Sequence, residues 1–251
     1  MANNNKITQA VLLAAGLGTR MRTVTEKMGI PKVMVPLLGK PLLQWHIEEL
    51  KKFGVNEFFI NLHYLPDAIR NYFGDGSRLG VKIDYALEEP EILGTAGGIK
   101  NFDGKLGERF FVLYGDTFYG VNYSNLIDFY DVRKDAIGLT TARRTDHPAD
   151  SDLAVLDQDG RIVQFLLKPH KEFPADYWGT SAPYIFSKEV LKYIPPKQYY
   201  EIDHQLVPDL LKRGYGYYAY CLQKGEFRKD IGTPERYREV EEYLKQKGAG
   251  A

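Results

Sequence analysis

The run VLLAAGLGTRM, Val11 to Met21, followed by Pro31 and Lys32, carries residue types suited to gripping a triphosphate. Its apolar part stops abruptly at Gly16, Gly18, Thr19 and Arg20, so a buried strand gives way to a turn whose backbone N–H groups can face an anion. Arg20 can fork two donors onto phosphate oxygens, and Lys32 adds a compact charge that can move with the phosphate as it leaves. The spacing matches neither GxGxxG, since Arg20 and Met21 follow Thr19, nor GxxxxGKS/T, which argues against a dinucleotide fold and a P-loop. The glycines alone would also fit an ordinary strand turn beside solvated cations. Arg20 and the segment PKVMVPLLGKP weigh against that plainer reading.

Two aspartates add a second kind of chemistry. Asp116 follows the apolar FFVLYG, where a strand must end, and Asp230 lies between FRK and IGT at another passage from strand to loop. Far apart in sequence, they can meet at one Mg²⁺ only if both strands end at the same edge; Mg²⁺ is commonly held by one or two carboxylates with phosphate and water completing its octahedron. A helix cap or turn role competes for each, above all for Asp230 before Gly232, Thr233 and Pro234.

The elements that must place these residues alternate. Apolar runs at Ala10 to Ala15, Glu57 to Leu62, Val81 to Leu87, Arg109 to Tyr114 and Ala136 to Ala142 predict strands. Between them, helical patterns fall near Pro41 to Phe53, Pro66 to Phe73, Thr95 to Asn101 and Tyr123 to Lys134, with Gly54 stopping the first. Such alternation calls for a parallel sheet covered on both faces, with ligands at the carboxyl ends of its strands. After Ala142 the pattern becomes a hairpin, Leu153 to Leu156 and Arg161 to Leu167 around Asp157–Gly160, then a strand over Tyr177 to Phe186. Short helices near Lys188 to Tyr193 and His204 to Arg213, a strand Tyr215 to Cys221 and a helix Pro234 to Lys247 follow.

Composition sets the outer limits. Hydrophobic residues at 44% and charged residues at 26% fit a globular protein. With 33 basic and 33 acidic side chains, no overall field draws the chain to nucleic acid or an anionic membrane, so any cationic grip is local. The single cysteine, Cys221, fits a reducing cytoplasm and reads as a buried strand residue. The apolar stretch after the polar MANNNKITQ is too short for a signal peptide or a membrane span. His46 and His63 lack a Cys or His neighbour at metal spacing and read as structural, and the tyrosines from Tyr199 to Tyr220 read as core or dimer contact.

In chain order, LLAAGLGTRM, PKVMVPLLGKP, LGTAGG at Leu93 to Gly98, YGD at Tyr114 to Asp116 and DIGTPERY at Asp230 to Tyr237 resemble the sugar-1-phosphate nucleotidyltransferases, which make nucleotide sugars. Each motif is weak alone; their order over Gln9 to Tyr237 is specific. The resemblance implies an α/β fold, a Rossmann-like three-layer sandwich with a mostly parallel, mixed central sheet of the nucleotide-diphospho-sugar transferase type. It implies one catalytic domain over residues 1–251, with a nucleotide-binding half at about 9–142 and a sugar-phosphate-binding half at about 143–240. Hexapeptide repeats are missing, so the appended β-helix of some relatives is not expected.

The implied reaction is attack of a sugar-1-phosphate oxygen on the α-phosphorus of a nucleoside triphosphate, releasing pyrophosphate. The nucleophile is already an anion, so no covalent intermediate is needed and catalysis is positioning plus charge neutralisation. The roles implied are Arg20 on the leaving pyrophosphate, Lys32 and Mg²⁺ on the triphosphate, and Asp116 with Asp230 on the metal. Nucleotide contacts are expected from Leu13, Ala14, Ala15, Gly16, Gly18, Thr19, Arg20, Lys32, Glu88, Glu89, Gly94 and Thr95. Sugar-phosphate contacts are expected from Asp152, Lys168, Gly179 and Thr180.

Departures from the family concentrate in the second half. Its EKP motif reads FLLKPH, so Lys168 and Pro169 match while Leu167 replaces the glutamate; Thr180 stands where asparagine is usual, and Asp152 where glycine is. The segment HPADSDLAVLDQDGRI with FLLKPH resembles the branch that guanylylates mannose-1-phosphate or D-glycero-D-manno-heptose-1-phosphate. Glu88 and Glu89 lean the same way, since one carboxylate can accept from guanine's ring N–H and amino group together whereas uracil or thymine offers one donor. Glutamates capping a strand end in solvent are the competing reading. Uridylyl or thymidylyl transfer to another hexose-1-phosphate, cytidylyl transfer to a small phosphorylated alcohol, and a non-catalytic nucleotide sensor stay open, as does a homodimer. Loss of Arg20, Lys32, Asp116 or Asp230 is expected to lower turnover roughly a hundredfold or more. Near-normal turnover in Asp116→Ala would remove the metal assignment.

Overall fold

The computed structural model describes residues 6–145 and 147–248, with the side chains of Arg20, Arg22, Thr23 and Val24 outside the description. The chain divides into two compact units, one of Thr8–Ile92, Leu113–Val121 and Glu226–Ala251 and a second built chiefly of Leu93–Val112 and Asn122–Gly225.

In the first unit, apolar runs make strands where the sequence places them: β1 (Gln9–Leu13), β4 (Glu57–Leu62) and β5 (Lys82–Leu87). All three run parallel, with Leu13 beside Asn61 and Leu62 beside Leu87, so they end together at one carboxyl edge. Buried strands need cover, which α2 (Leu42–Lys52) supplies by turning Leu43, Ile47 and Leu50 inward and α3 (Pro66–Phe73) by turning in Ile69 and Phe73. A short ribbon, β2 (Pro36–Leu37) with β3 (Lys40–Pro41), leads into α2, and α1 (Arg22–Met28) follows the glycine loop.

One further pair was not legible in the pattern. The strand β7 (Thr117–Gly120) pairs antiparallel with β13 (Phe227–Asp230), with Asp230 opposite Thr117. The helix α7 (Pro234–Gln246), capped by Thr233, packs Val240 and Leu244 against Leu37, Leu42, Phe118 and Ile231. Burial in that cluster anchors the β7–β13 ribbon to α7, β2 and the start of α2.

The second unit is a mixed sheet. The strand β11 (Trp178–Ser187) pairs antiparallel with β8 (Ala136–Arg143), β9 (Leu153–Leu156) and the β6 strand (Arg109–Tyr114), whose last two residues belong to the first unit. Beyond them, β10 (Ile162–Leu166) pairs antiparallel with β9, and β12 (Gly216–Cys221) runs parallel to β8. Its helices are α4 (Gly94–Lys100), α5 (Tyr123–Asp131), capped by Asn122, and α6 (Val207–Lys212). The tyrosines of β12 are core: Tyr217, Tyr218 and Tyr220 are buried, while Tyr199 is exposed.

Three local expectations are revised. Cys221 is half-buried, because it ends β12 where the strand leaves its cover. Lys188–Tyr193 winds as a 3-10 helix, and a π-helical turn at Ile202–Leu206 precedes α6. Among the described residues, no helix is long and apolar enough to cross a membrane.

Leu244→Ala is expected to cost about 2–5 kcal/mol, the range for emptying a buried leucine site. Urea unfolding reads it; an unchanged midpoint would show that α7 is not part of the cooperative core.

Candidate functional site

The end of β1 is held from both sides. Gly115 donates its N–H to the Leu13 carbonyl at 2.9 Å, and Ala14 donates its own to Asn61 Oδ1 at 2.7 Å. Ala14 and Ala15 are buried, while Gly16, Leu17 and Thr19 face solvent. A side chain at Gly16 would meet nothing within 4 Å, so open space lies beside the loop where an anion can approach. Gly18 has φ +59°, a left-handed turn that favours glycine, and a Cβ there would sit 3.0 Å from Lys32 Cβ. Thr19–Met21 closes one 3-10 turn, with Met21 N–H on the Gly18 carbonyl at 3.0 Å. The side chain of Arg20, the expected pyrophosphate ligand, lies outside the described residues.

Lys32 begins a 3-10 turn, Lys32–Met34, that is buried throughout. Its side chain is 7% exposed, and Nζ lies 2.7 Å from Asp116 Oδ2. An ammonium taken out of water needs such a partner. The Asp116 side chain keeps 41% exposure, and its Oδ1 accepts from the Thr117 hydroxyl at 3.4 Å. Behind it, His46 is buried against Tyr119 with ring centres 5.5 Å apart. Burial pushes its imidazole down to about 4, against a backbone hydrogen bond with Gly115 and the nearby Asp116 charge, so the ring is neutral packing.

Asp230 reaches the same place through the ribbon: Ile231 donates its N–H to the Asp116 carbonyl at 3.0 Å. Its carboxylate is held by a guanidinium the sequence reading did not single out. Arg236 Nη1 lies 2.8 Å from Oδ1 and 2.6 Å from Oδ2, and Gly232 N–H donates to Oδ1 at 3.0 Å. Burial alone would raise the Asp230 carboxyl, but Arg236, Gly232 and the Lys32 charge hold it below the usual range. The turn role that competed for Asp230 is thus present in the Gly232 bond. The first unit therefore brings Lys32, Asp116 and Asp230 together beside the glycine loop.

The two neighbouring glutamates part company. Glu88 is 1% exposed and its Oε1 accepts from Asn61 Nδ2 at 2.8 Å, whereas Glu89 faces solvent. His63 Nδ1 lies 2.8 Å from the Glu88 carbonyl, a structural contact.

The remaining expected residues lie in the second unit. Gly94, with φ +73°, packs so closely on the Tyr200 carbonyl that a Cβ would come within 2.7 Å, and Thr95 Oγ1 accepts from Ile202 N–H at 2.8 Å. Asp152 Oδ1 accepts from Lys168 N–H at 3.1 Å and the Asp152 carbonyl from Thr180 N–H at 3.1 Å, so three expected sugar-phosphate residues meet at one aspartate. The Lys168 ammonium lies 3.4 Å from the Asp150 carbonyl, Gly179 backs onto Thr145, and Thr180 Oγ1 is buried without a hydrogen-bond partner. His204 was not foreseen: Nε2 lies 3.4 Å from Asp152 Oδ2 and Nδ1 3.2 Å from Glu201 Oε2.

Among the described residues, no group of three or more His, Cys, Asp or Glu side chains is placed to hold a metal ion. Mg²⁺ does not require one, since phosphate oxygens complete its shell. Asp116 fits as a donor, with a half-exposed carboxylate that commits only Oδ2 to a cation. Asp230 fits only if Arg236 shares an oxygen.

The family model described as nucleotidyl transferase matches residues 9–247. A UTP–glucose-1-phosphate uridylyltransferase of Synechocystis is 33% identical over 84% of this chain and 57% of its own length. A mannose-1-phosphate guanylyltransferase of Mycobacterium tuberculosis is 33% identical over 91% of this chain and 62% of its own. The chain thus spans about three fifths of these two curated relatives. The crystal structure of HddC from Yersinia pseudotuberculosis complexed with GMP-PN superposes with a TM-score of 0.74 at 27% identity, covering 95% of this chain and all of that one.

Gly18→Ala tests whether loop and cation act together. Left-handed strain is expected to cost about 1 kcal/mol, and displacement of Lys32 to lower turnover about tenfold to a hundredfold. Lower stability with unchanged turnover would disconnect the loop from Lys32.

Proposed function

This chain belongs to the nucleotidyl transferase family, and from that premise we propose that it joins a nucleoside triphosphate to a sugar-1-phosphate, giving a nucleotide sugar and pyrophosphate. One observation carries the reading: a buried Lys32 paired with a half-exposed Asp116 beside an open glycine loop. The loop N–H groups and Lys32 bind the triphosphate, and Arg20 takes the departing pyrophosphate. Entry of phosphate oxygens lets Lys32 exchange Asp116 for the substrate, which frees the aspartate without stranding a buried cation. Mg²⁺, held by Asp116 and by Asp230 beside Arg236, supplies neutralisation of phosphate charge when bound. Lys168 is the cation assigned to the sugar phosphate, with Asp152 fixing the backbone around it.

GTP is the proposed nucleotide, and mannose- or manno-heptose-1-phosphate the proposed acceptor. The hairpin resemblance supports this, as do the guanylyltransferase activity of the Mycobacterium relative and the guanine nucleotide analogue bound to HddC. The solvent-facing Glu89 is the carboxylate available to guanine's paired donors.

Pyrophosphate release, measured with Mg²⁺ while crossing GTP, UTP, dTTP, CTP and ATP with mannose-, glucose- and heptose-1-phosphates, tests the whole reading. Release with GTP and a manno-configured acceptor is expected. Release with UTP and glucose-1-phosphate would overturn the guanylyl assignment, and silence across the grid with nucleotide still bound would make the protein a sensor.

A further inference from the structure

Three adjacent strand ends of the first unit are tied in a row by side chains rather than by the ladder. Ala14 follows the last residue of β1, so its N–H lies past the regular pairing and is met by Asn61 Oδ1 at 2.7 Å. Asn61 sits near the end of β4, is 2% exposed, and turns its Nδ2 to Glu88 Oε1 at 2.8 Å. Glu88 follows the end of β5, is 1% exposed, and donates its own N–H to the Leu62 carbonyl at 2.8 Å. An amide has an accepting and a donating end, and nothing in its own shape decides which faces which neighbour. Flipped, Asn61 would aim an N–H at the Ala14 N–H and its oxygen at a carboxylate, leaving buried groups unpaired. An accepting oxygen at residue 88 opposes that arrangement on one side, as the Ala14 N–H does on the other.

We propose that Glu88 and Asn61 are positioning residues for the glycine loop: Glu88 sets the polarity of the Asn61 amide, and Asn61 fixes Ala14, from which the phosphate-binding turn departs. The row takes Glu88 away from base recognition and leaves that task to Glu89. The importance of the row for substrate rests on the loop's role as the phosphate site, but the clamp on Ala14 is a property of the chain itself and can be read without substrate.

The test compares the full chain with Asn61→Asp, Glu88→Gln, the double variant and Glu88→Ala, using two readouts. Hydrogen exchange of the Ala14 amide, observed after selective ¹⁵N-alanine labelling, reports the clamp. The KM and kcat for pyrophosphate release with GTP and UTP report its consequence. In Asn61→Asp two carboxylates face each other, and Ala14 exchange is expected to speed up about tenfold or more, the scale of one lost buried hydrogen bond. Nucleotide KM should rise in parallel, with less change in kcat. In the double variant the amide introduced at position 88 can donate to the carboxylate introduced at position 61, so slow exchange and low KM are expected to return. Glu88→Gln alone still accepts from Asn61 and should keep the ratio of GTP to UTP rates unchanged.

If Asn61→Asp does not fold, Glu88→Ala carries the test, since removing the acceptor should speed Ala14 exchange by a similar factor. Unchanged Ala14 exchange in Glu88→Ala, or a double variant no better than Asn61→Asp, overturns the proposal. A GTP-to-UTP ratio altered by Glu88→Gln at constant Ala14 exchange overturns it too, by making Glu88 the base reader. Absence of pyrophosphate release from the unaltered chain with every substrate pair would sink the nucleotidyl-transfer reading while leaving the exchange result to decide the clamp.

Discussion

A buried ammonium governs the site. Lys32 has 7% of its side chain exposed, and a charge so placed is tolerable only with an anion against it. Asp116 must therefore stand where β6 ends, and Gly18 must stay free of a side chain that would push on the lysine stem. The ribbon of β7 and β13 brings Asp230 to the same charge, and Arg236 balances that second carboxylate. Two cations and two anions result, each satisfied before any ligand arrives. On the proposed reading, an incoming polyanion offers the cations new partners and releases the carboxylates.

Much of the first unit could be read from residue patterns. Apolar runs of five or six residues marked β1, β4 and β5, and their abrupt ends marked the edge where Gly16 and Asp116 lie. The ribbon escaped notice because TFYG and FRKD are four residues each, with no apolar alternation and with partners more than a hundred positions apart. Arg236 escaped for a related reason. It looks like an exposed helix residue in TPERY, and its pairing with Asp230 depends on the turn that Thr233 caps, not on helical spacing. The fold decides what the letters cannot show for Glu88 and Glu89, since of these two residues past β5 only Glu88 is buried. Asn61 did leave a signal, a lone amide inside EFFINL, but a polar residue in an apolar run reads equally well as a strand position.

The second unit gathers several of its expected residues around one aspartate. Leu167 stands where the family resemblance implies a glutamate, and Asp152, across the same hairpin, accepts the Lys168 N–H. His204 then bridges Asp152 to Glu201, with each ring nitrogen facing a carboxylate. Asp152, Glu201 and His204 thus form one polar cluster beside the backbone of Thr180 and Lys168. Their separation in sequence, from Asp152 to His204, hides it from any motif search.

The neutral total charge gives this arrangement its logic. With 33 cationic and 33 anionic side chains, the protein has no diffuse field to hold a triphosphate. Lys32 and Arg236 are already engaged with aspartates, so neither adds a free positive charge. On the proposed reading, the N–H dipoles of the glycine loop add to Lys32 and Arg20, and their strength depends on aim more than on number. Aim is a matter of backbone position, and backbone position here is set at Ala14, where Gly115 holds the preceding carbonyl and Asn61 the following N–H. On that reading the loop must be held in place, and the buried Asn61 and Glu88 stand behind it.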